Sequence, residues 1–217
     1  MTRNNIDQPE PRWQVLLAVA AVGGIYLALP RELVLGPTWL LPVLVGLLLI
    51  PTVFAHRTGR RSLNHALGIL IDSVMTIALI GSVALLVTTI PEKREPPLAL
   101  LRSGGALWVT NVLVFALWYW RLDGGGPTKR AAENDFGSRS FVFPQMQIEK
   151  SERKRFGVDT WRPGFVDYLF IALTNSSTFG PTDSPVLQPW AKLLTMTQII
   201  ISLTIMVLVI SRAVGVL

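Results

Sequence analysis

The feature that most constrains this chain is a succession of apolar runs, each about long enough to cross a lipid bilayer and each closed by a charged or proline-bearing turn. A hydrocarbon core of about 30 Å takes roughly 20 helical residues per crossing. Inside it only helices or closed barrels satisfy every backbone N–H and C=O. Runs at residues 13–30, 35–55, 66–90 and 103–120, with a last one at 190–214, fall in that length class. The spacing predicts an all-α membrane protein with five transmembrane helices. A soluble chain of 217 residues spreads its apolar residues through one core, whereas here 50% hydrophobic and 16% charged residues separate into alternating stretches.

The turns carry the rest of the layout. Arg3 and Arg12 precede the first run in the manner of a signal peptide, but another apolar span follows almost at once, so the first run is expected to stay as an anchor. Runs one and two, joined at Arg31-Glu32, read as a helical hairpin. A basic turn, residues 56–61, leads to the third run, and a charged, proline-rich linker, residues 92–97, to the fourth. That fourth run ends in Trp118-Tyr119-Trp120-Arg121, the aromatic and cationic finish expected where a helix meets headgroups. Residues 1–121 therefore form a four-helix membrane region. Residues 122–162 form the long polar stretch, expected to be a solvent-exposed insert, with Phe141-Val142-Phe143-Pro144 as its contact with the membrane surface.

Several function classes drop out. The chain has no cysteine, which removes disulfides, thiolate metal sites and cysteine nucleophiles. Its formal charge of +6 sits in loops beside apolar runs, which orients a membrane protein and does not build a nucleic-acid surface. No phosphate-binding glycine loop, HExxH or nucleophile elbow appears, so no enzyme activity and no cofactor are expected.

Residues 163–217 have a different rhythm. A short amphipathic run, 163–177, is followed by a polar break, 178–183, and the final apolar run. About 15 helical residues cover only ~22 Å, less than a crossing. A half-span, a polar loop and a full span predict one re-entrant pore helix with a filter-like loop. The loop, Thr178, Phe179, Gly180, Pro181, Thr182 and Asp183, with Tyr168 to Ser177 before it, resembles the pore helix and filter of the potassium-channel superfamily, whose filter has the form Thr-Val-Gly-Tyr-Gly-Asp. Thr178, Phe179, Gly180 and Asp183 match that pattern in kind, while Pro181 and Thr182 replace its Tyr and second Gly. The family's filter turns backbone carbonyls inward using geometries that glycine permits. Thr182 resists positive φ and Pro181 fixes φ and lacks an N–H. The resemblance thus implies a cation pathway for K⁺ and Na⁺ with weak selectivity between them. The whole chain is also similar to a group of bacterial membrane proteins with the same five spans and loop, which implies a multi-pass protein of the bacterial inner membrane.

In the last run, Thr195, Gln198, Ser202, Ile205, Val209 and Arg212 recur at spacings of three and four and so share one helix face. They are candidates for a pore lining, polar near the loop and apolar beyond it; the alternative is that they hydrogen-bond a neighbouring helix. One loop per chain cannot enclose a pathway, so a homo-oligomer is required. The resemblance implies four copies, and five is left open. Within the third run Asp72 is an intramembrane carboxylate, either paired with an interfacial Arg or coupling protons in a small transporter; Asn111 is expected to hydrogen-bond another helix. A non-conducting scaffold with a structural loop is the remaining class. Counting Lys and Arg puts the N-terminus, the 56–61 turn, the insert and the loop on the cytoplasmic side, while the channel resemblance puts the loop outside.

Overall fold

The computed structural model describes residues 12–89, 97–132, 139–177 and 184–214. Among them the secondary structure is helical, with a single isolated bridge pairing Phe141 and Val186. Five larger helices, α1 (Trp13–Ala28), α2 (Leu40–Arg57), α3 (Arg61–Thr89), α4 (Pro97–Leu122) and α9 (Pro189–Val214), are accompanied by the short α5 (Pro127–Ala132), α6 (Pro144–Gln147) and α7 (Lys150–Arg153) and the half-length α8 (Phe165–Ser177), all four of which lie between α4 and α9 in sequence. Three of the larger helices, over Ser62–Thr88, Leu98–Gly125 and Pro189–Ser211, are long and apolar enough to cross a membrane. The protein is therefore a membrane protein by the length and composition of these helices. With 16 and 18 residues, α1 and α2 are shorter, about 24 and 27 Å at 1.5 Å per residue.

The helix starts differ from the sequence reading in a physically sensible way. Helix α4 begins at Pro97, inside the expected linker, because proline's missing N–H costs nothing in a first turn. Helix α3 likewise begins at Arg61, so the basic turn after α2 is tighter than expected. Between α1 and α2, a short 3₁₀ turn, Arg31–Leu33, reverses the chain, and the Leu35 backbone N–H donates to the Tyr26 hydroxyl at 3.1 Å.

Helix α4 is the hub, packing on α1, α3, α8 and α9. Val114, Phe115, Ala116 and Leu117 are all fully buried. Four successive residues at about 100° per step point to directions spread around the whole helix, so neighbours surround it at this level. The outer surfaces are the reverse of a soluble protein's. Leu47, Ile50, Ile77, Leu193, Ile200 and Val207 are more than half exposed, as suits side chains that meet lipid.

One end of the bundle gathers the start of α1, the end of α2, the start of α3 and the end of α4. Residues from all four line a common cavity there, and Arg12 donates to the Thr128 hydroxyl across it. The starts of α8 and α9 lie at the same end, where Phe141 stacks edge-on against Tyr168 and Trp190.

The insert is not the uniformly solvated stretch that its composition predicts. Asp123 and Phe141 have no exposed surface, Arg130 has 1% and Phe143 has 3%. The Phe141–Phe143 segment docks into the bundle through Tyr119, Tyr168 and Trp161 instead of onto a membrane surface. Three consecutive glycines of positive φ, Gly124, Gly125 and Gly126, fold the chain back after α4 so that this docking is possible. Among the described residues of the insert, the stretch from Glu149 to Thr160 keeps most of the expected exposure.

Candidate functional site: the polar seam around α8

Helix α8 descends between α4 and α9, and polar side chains from both bind its lower end. Gln198 is the centre. Its amide N–H₂ donates to the Ala172 carbonyl at 2.7 Å and the Ser176 hydroxyl at 2.8 Å, and its Oε1 accepts from the Tyr119 hydroxyl at 2.5 Å. The backbone carbonyl of Gln198 accepts from Asn111 Nδ2 at 3.2 Å, so Asn111 does reach another helix.

One turn further on, the Ser202 hydroxyl donates to the Ser176 carbonyl at 2.7 Å and accepts from Trp108 Nε1 at 3.0 Å. Trp108 Nε1 also reaches the Ser176 carbonyl at 3.2 Å. Ser176 lies in the last turn of α8, where carbonyls have no partner within the helix. Side chains of α4 and α9 therefore cap α8 at the level of Ser202, the middle of α9.

A second cluster fixes the other end of α8. The Asp123 carboxylate accepts from the Tyr168 hydroxyl at 2.7 Å and from the Ser140 backbone N–H at 2.5 Å. Arg130 Nη1 donates to the Trp120 carbonyl at 2.5 Å and the Asp123 carbonyl at 2.8 Å, and its guanidinium lies 5.0 Å from the Tyr168 ring centre. Beyond α8, Val142 N–H donates to the Pro185 carbonyl at 3.0 Å and Leu187 N–H to the Ser140 carbonyl at 2.8 Å. The chain that descends with α8 is thus back at its starting end by Pro185.

The sequence candidates fall as follows. Thr178, Phe179, Gly180, Pro181, Thr182 and Asp183 lie outside the described residues. Gln198, Ser202 and Ile205 are buried, with exposures of 0%, 1% and 1%, and their face turns toward α4 and α8 of the same chain. Thr195 is half-buried on it, and Val209 meets α4 at Gly104, where a Cβ would collide with the valine side chain. The side chain of Arg212 is outside the described residues.

Asp72 is fully buried and forms an ion pair with Arg121 of α4. Gly68, one turn before Asp72, leaves the space that the Arg121 guanidinium fills. The aromatic finish of α4 does less at the headgroups than expected. Tyr119 and Trp120 face inward at 0% and 3%, and Trp118 donates to the Thr76 hydroxyl of α3 at 2.8 Å.

Trp108, Tyr119, Asp123, Arg130 and Tyr168 were not among the sequence candidates. Tyr168 was legible as part of α8's inward face, but nothing in sequence order joins Asp123 to a tyrosine 45 positions later. No protein-family model, curated protein or solved structure matches the chain.

Proposed function

We propose that this is a five-span membrane protein in which α8 is a re-entrant half-helix, and that several copies assemble around a weakly selective pathway for K⁺ and Na⁺. The observation that carries the reading is the course of the chain around α8. Its 13 residues reach about 20 Å, stop beside Ser202, and the chain is again beside Ser140 by Leu187. A helix that enters from one end, with the chain after it found again at that end, is re-entrant in form. In a membrane such backbone is tolerated where protein covers it or where it lines a water-filled pathway.

The filter-like residues Thr178 to Asp183 follow α8 in sequence, and the carboxyl end of α8, with its partial negative charge, favours a cation near it. Since each chain supplies one loop, copies must surround the pathway, four by the family resemblance. With the arginines of the shared end on the cytoplasmic side of a bacterial inner membrane, the loop faces the cytoplasm.

A second reading, a non-conducting scaffold, is favoured by one observation: the polar face of α9 is consumed within the chain by Tyr119, Asn111, Trp108 and Ser176. The pairing of Asp72 with Arg121 supports a structural role for that carboxylate over proton coupling.

Flux of K⁺ and Na⁺ into liposomes separates the readings. Wild-type protein should pass both ions, and the double variant Thr178→Ala, Gly180→Val neither. Strict K⁺ selectivity would sink the weak-filter proposal, and silence of the wild type under voltage and pH steps would leave the scaffold.

A further inference from the structure

At the end of the bundle where α1 to α4 converge lies a cavity of about 400 Å³. Its polar part carries four cationic side chains, Arg12, Arg57, Arg121 and Lys129, together with Asn64 and His65. Asp72 pairs with Arg121 from within the bundle. Its other part is apolar, built by Val15, Leu16 and Val19 of α1 and Leu49 and Val53 of α2.

Leu16 and Val53 are also 45% and 40% exposed on the outside of the bundle. The apolar wall therefore runs without a break from the cavity to the surface that meets lipid. Arg57, one turn beyond Val53 on α2, and Lys129 are exposed where the helices end.

From this juxtaposition of a cationic end and an apolar wall open to the bilayer, we infer that the cavity is a binding site for an anionic glycerophospholipid, with the phosphate among Arg12, Arg57 and Lys129 and an acyl chain along α1 and α2. A phosphate is the chemistry that matches several convergent cations, and Arg presents paired donors suited to its oxygens. A soluble phosphate would use the cationic part and leave the apolar wall uncovered, whereas a lipid uses both. The site lies at the end of the bundle, at headgroup depth, where basic pockets between helices meet anionic lipids. The assignment does not depend on conduction.

The test is thermal unfolding of delipidated protein in neutral detergent, titrated separately with phosphatidylglycerol, phosphatidylcholine and glycerol 3-phosphate, with native mass spectrometry to count retained lipid. Phosphatidylglycerol should raise the midpoint and appear as a single bound lipid, and the other two should do neither. The variant Arg57→Gln, Lys129→Gln should bind about 30-fold more weakly, the effect of removing two near-surface cations. The control Lys150→Gln, Lys154→Gln, which removes equal charge from the exposed α7 region, should bind as the wild type does.

Because Arg57 and Lys129 are exposed, their replacement leaves the fold intact, and Thr52→Trp offers a second route by filling the cavity from α2. Equal stabilisation by phosphatidylcholine would overturn the proposal, as would full stabilisation by glycerol 3-phosphate, which would assign a soluble phosphate. Unchanged affinity in both cavity variants would overturn it too.

Discussion

Gln198 illustrates how much one side chain can hold together in a setting without water. It joins three helices through three hydrogen bonds, and its removal strands a tyrosine hydroxyl and a serine hydroxyl inside the bundle. Gln198→Ala should lower stability by about 1–3 kcal/mol, the cost of leaving buried polar groups unmet, read from unfolding in mixed micelles. Gln198→Leu, which adds bulk without hydrogen bonds, should not rescue it. The Asp72–Arg121 pair makes a sharper test. Breaking a buried pair by Asp72→Ala should cost about 3–5 kcal/mol, because Arg121 keeps its charge without its partner. Replacing both partners at once, Asp72→Leu with Arg121→Met, should recover most of that loss, and failure of the recovery would point to a role for Arg121 beyond the pair. Spacing shows that Gln198, Ser202 and Ile205 share a face. It is silent on what the face meets, because a polar stripe in a membrane helix suits water and a neighbouring helix equally well.

Among the elements, the long helices were legible because twenty apolar residues leave few alternatives in a hydrocarbon solvent. The insert was not, for the opposite reason: its anchoring residues are charged, and their partners are distant. Arg130 looks like a surface residue until the Trp120 carbonyl and the Tyr168 ring are seen around it. The half-length of α8 was readable from residue count, while its cap by Trp108 and Ser202 needed the packing of three helices. The burial of the insert predicts a cleavage pattern. Trypsin acting on protein in micelles should cut first in the exposed stretch at Lys150, Lys154 or Arg155, and slowly at Arg130 and Arg139, which are 1% and 4% exposed. Comparable rates at Arg130 would mean that the insert opens in solution.

For the whole molecule, the shared end is the organising fact, since it collects the basic turn after α2, the insert and both ends of the α8 segment. A chain without cysteine lends itself to accessibility mapping, because each introduced thiol is unique. Thr58→Cys and Ser151→Cys should react with an impermeant maleimide from one face of the membrane, and Glu32→Cys from the other. With the basic end inside, the first two should be protected in intact cells and the third labelled. Labelling of all three from one face would remove the alternation of α1, α2 and α3 on which the five-span proposal stands.

The cap on α8 has a further implication for inheritance of damage between copies. In that cap the Ser176 carbonyl and the Gln198 amide are both satisfied by α4, α8 and α9 of the same chain. Under the proposed assembly, the exposed apolar side of α9, with Leu193, Ile200 and Val207, is then available for contact between copies. If copies assemble as proposed, a subunit altered only in residues 178–183 keeps this cap and joins sound ones, so a minority of defective copies would silence assemblies made mostly of intact ones.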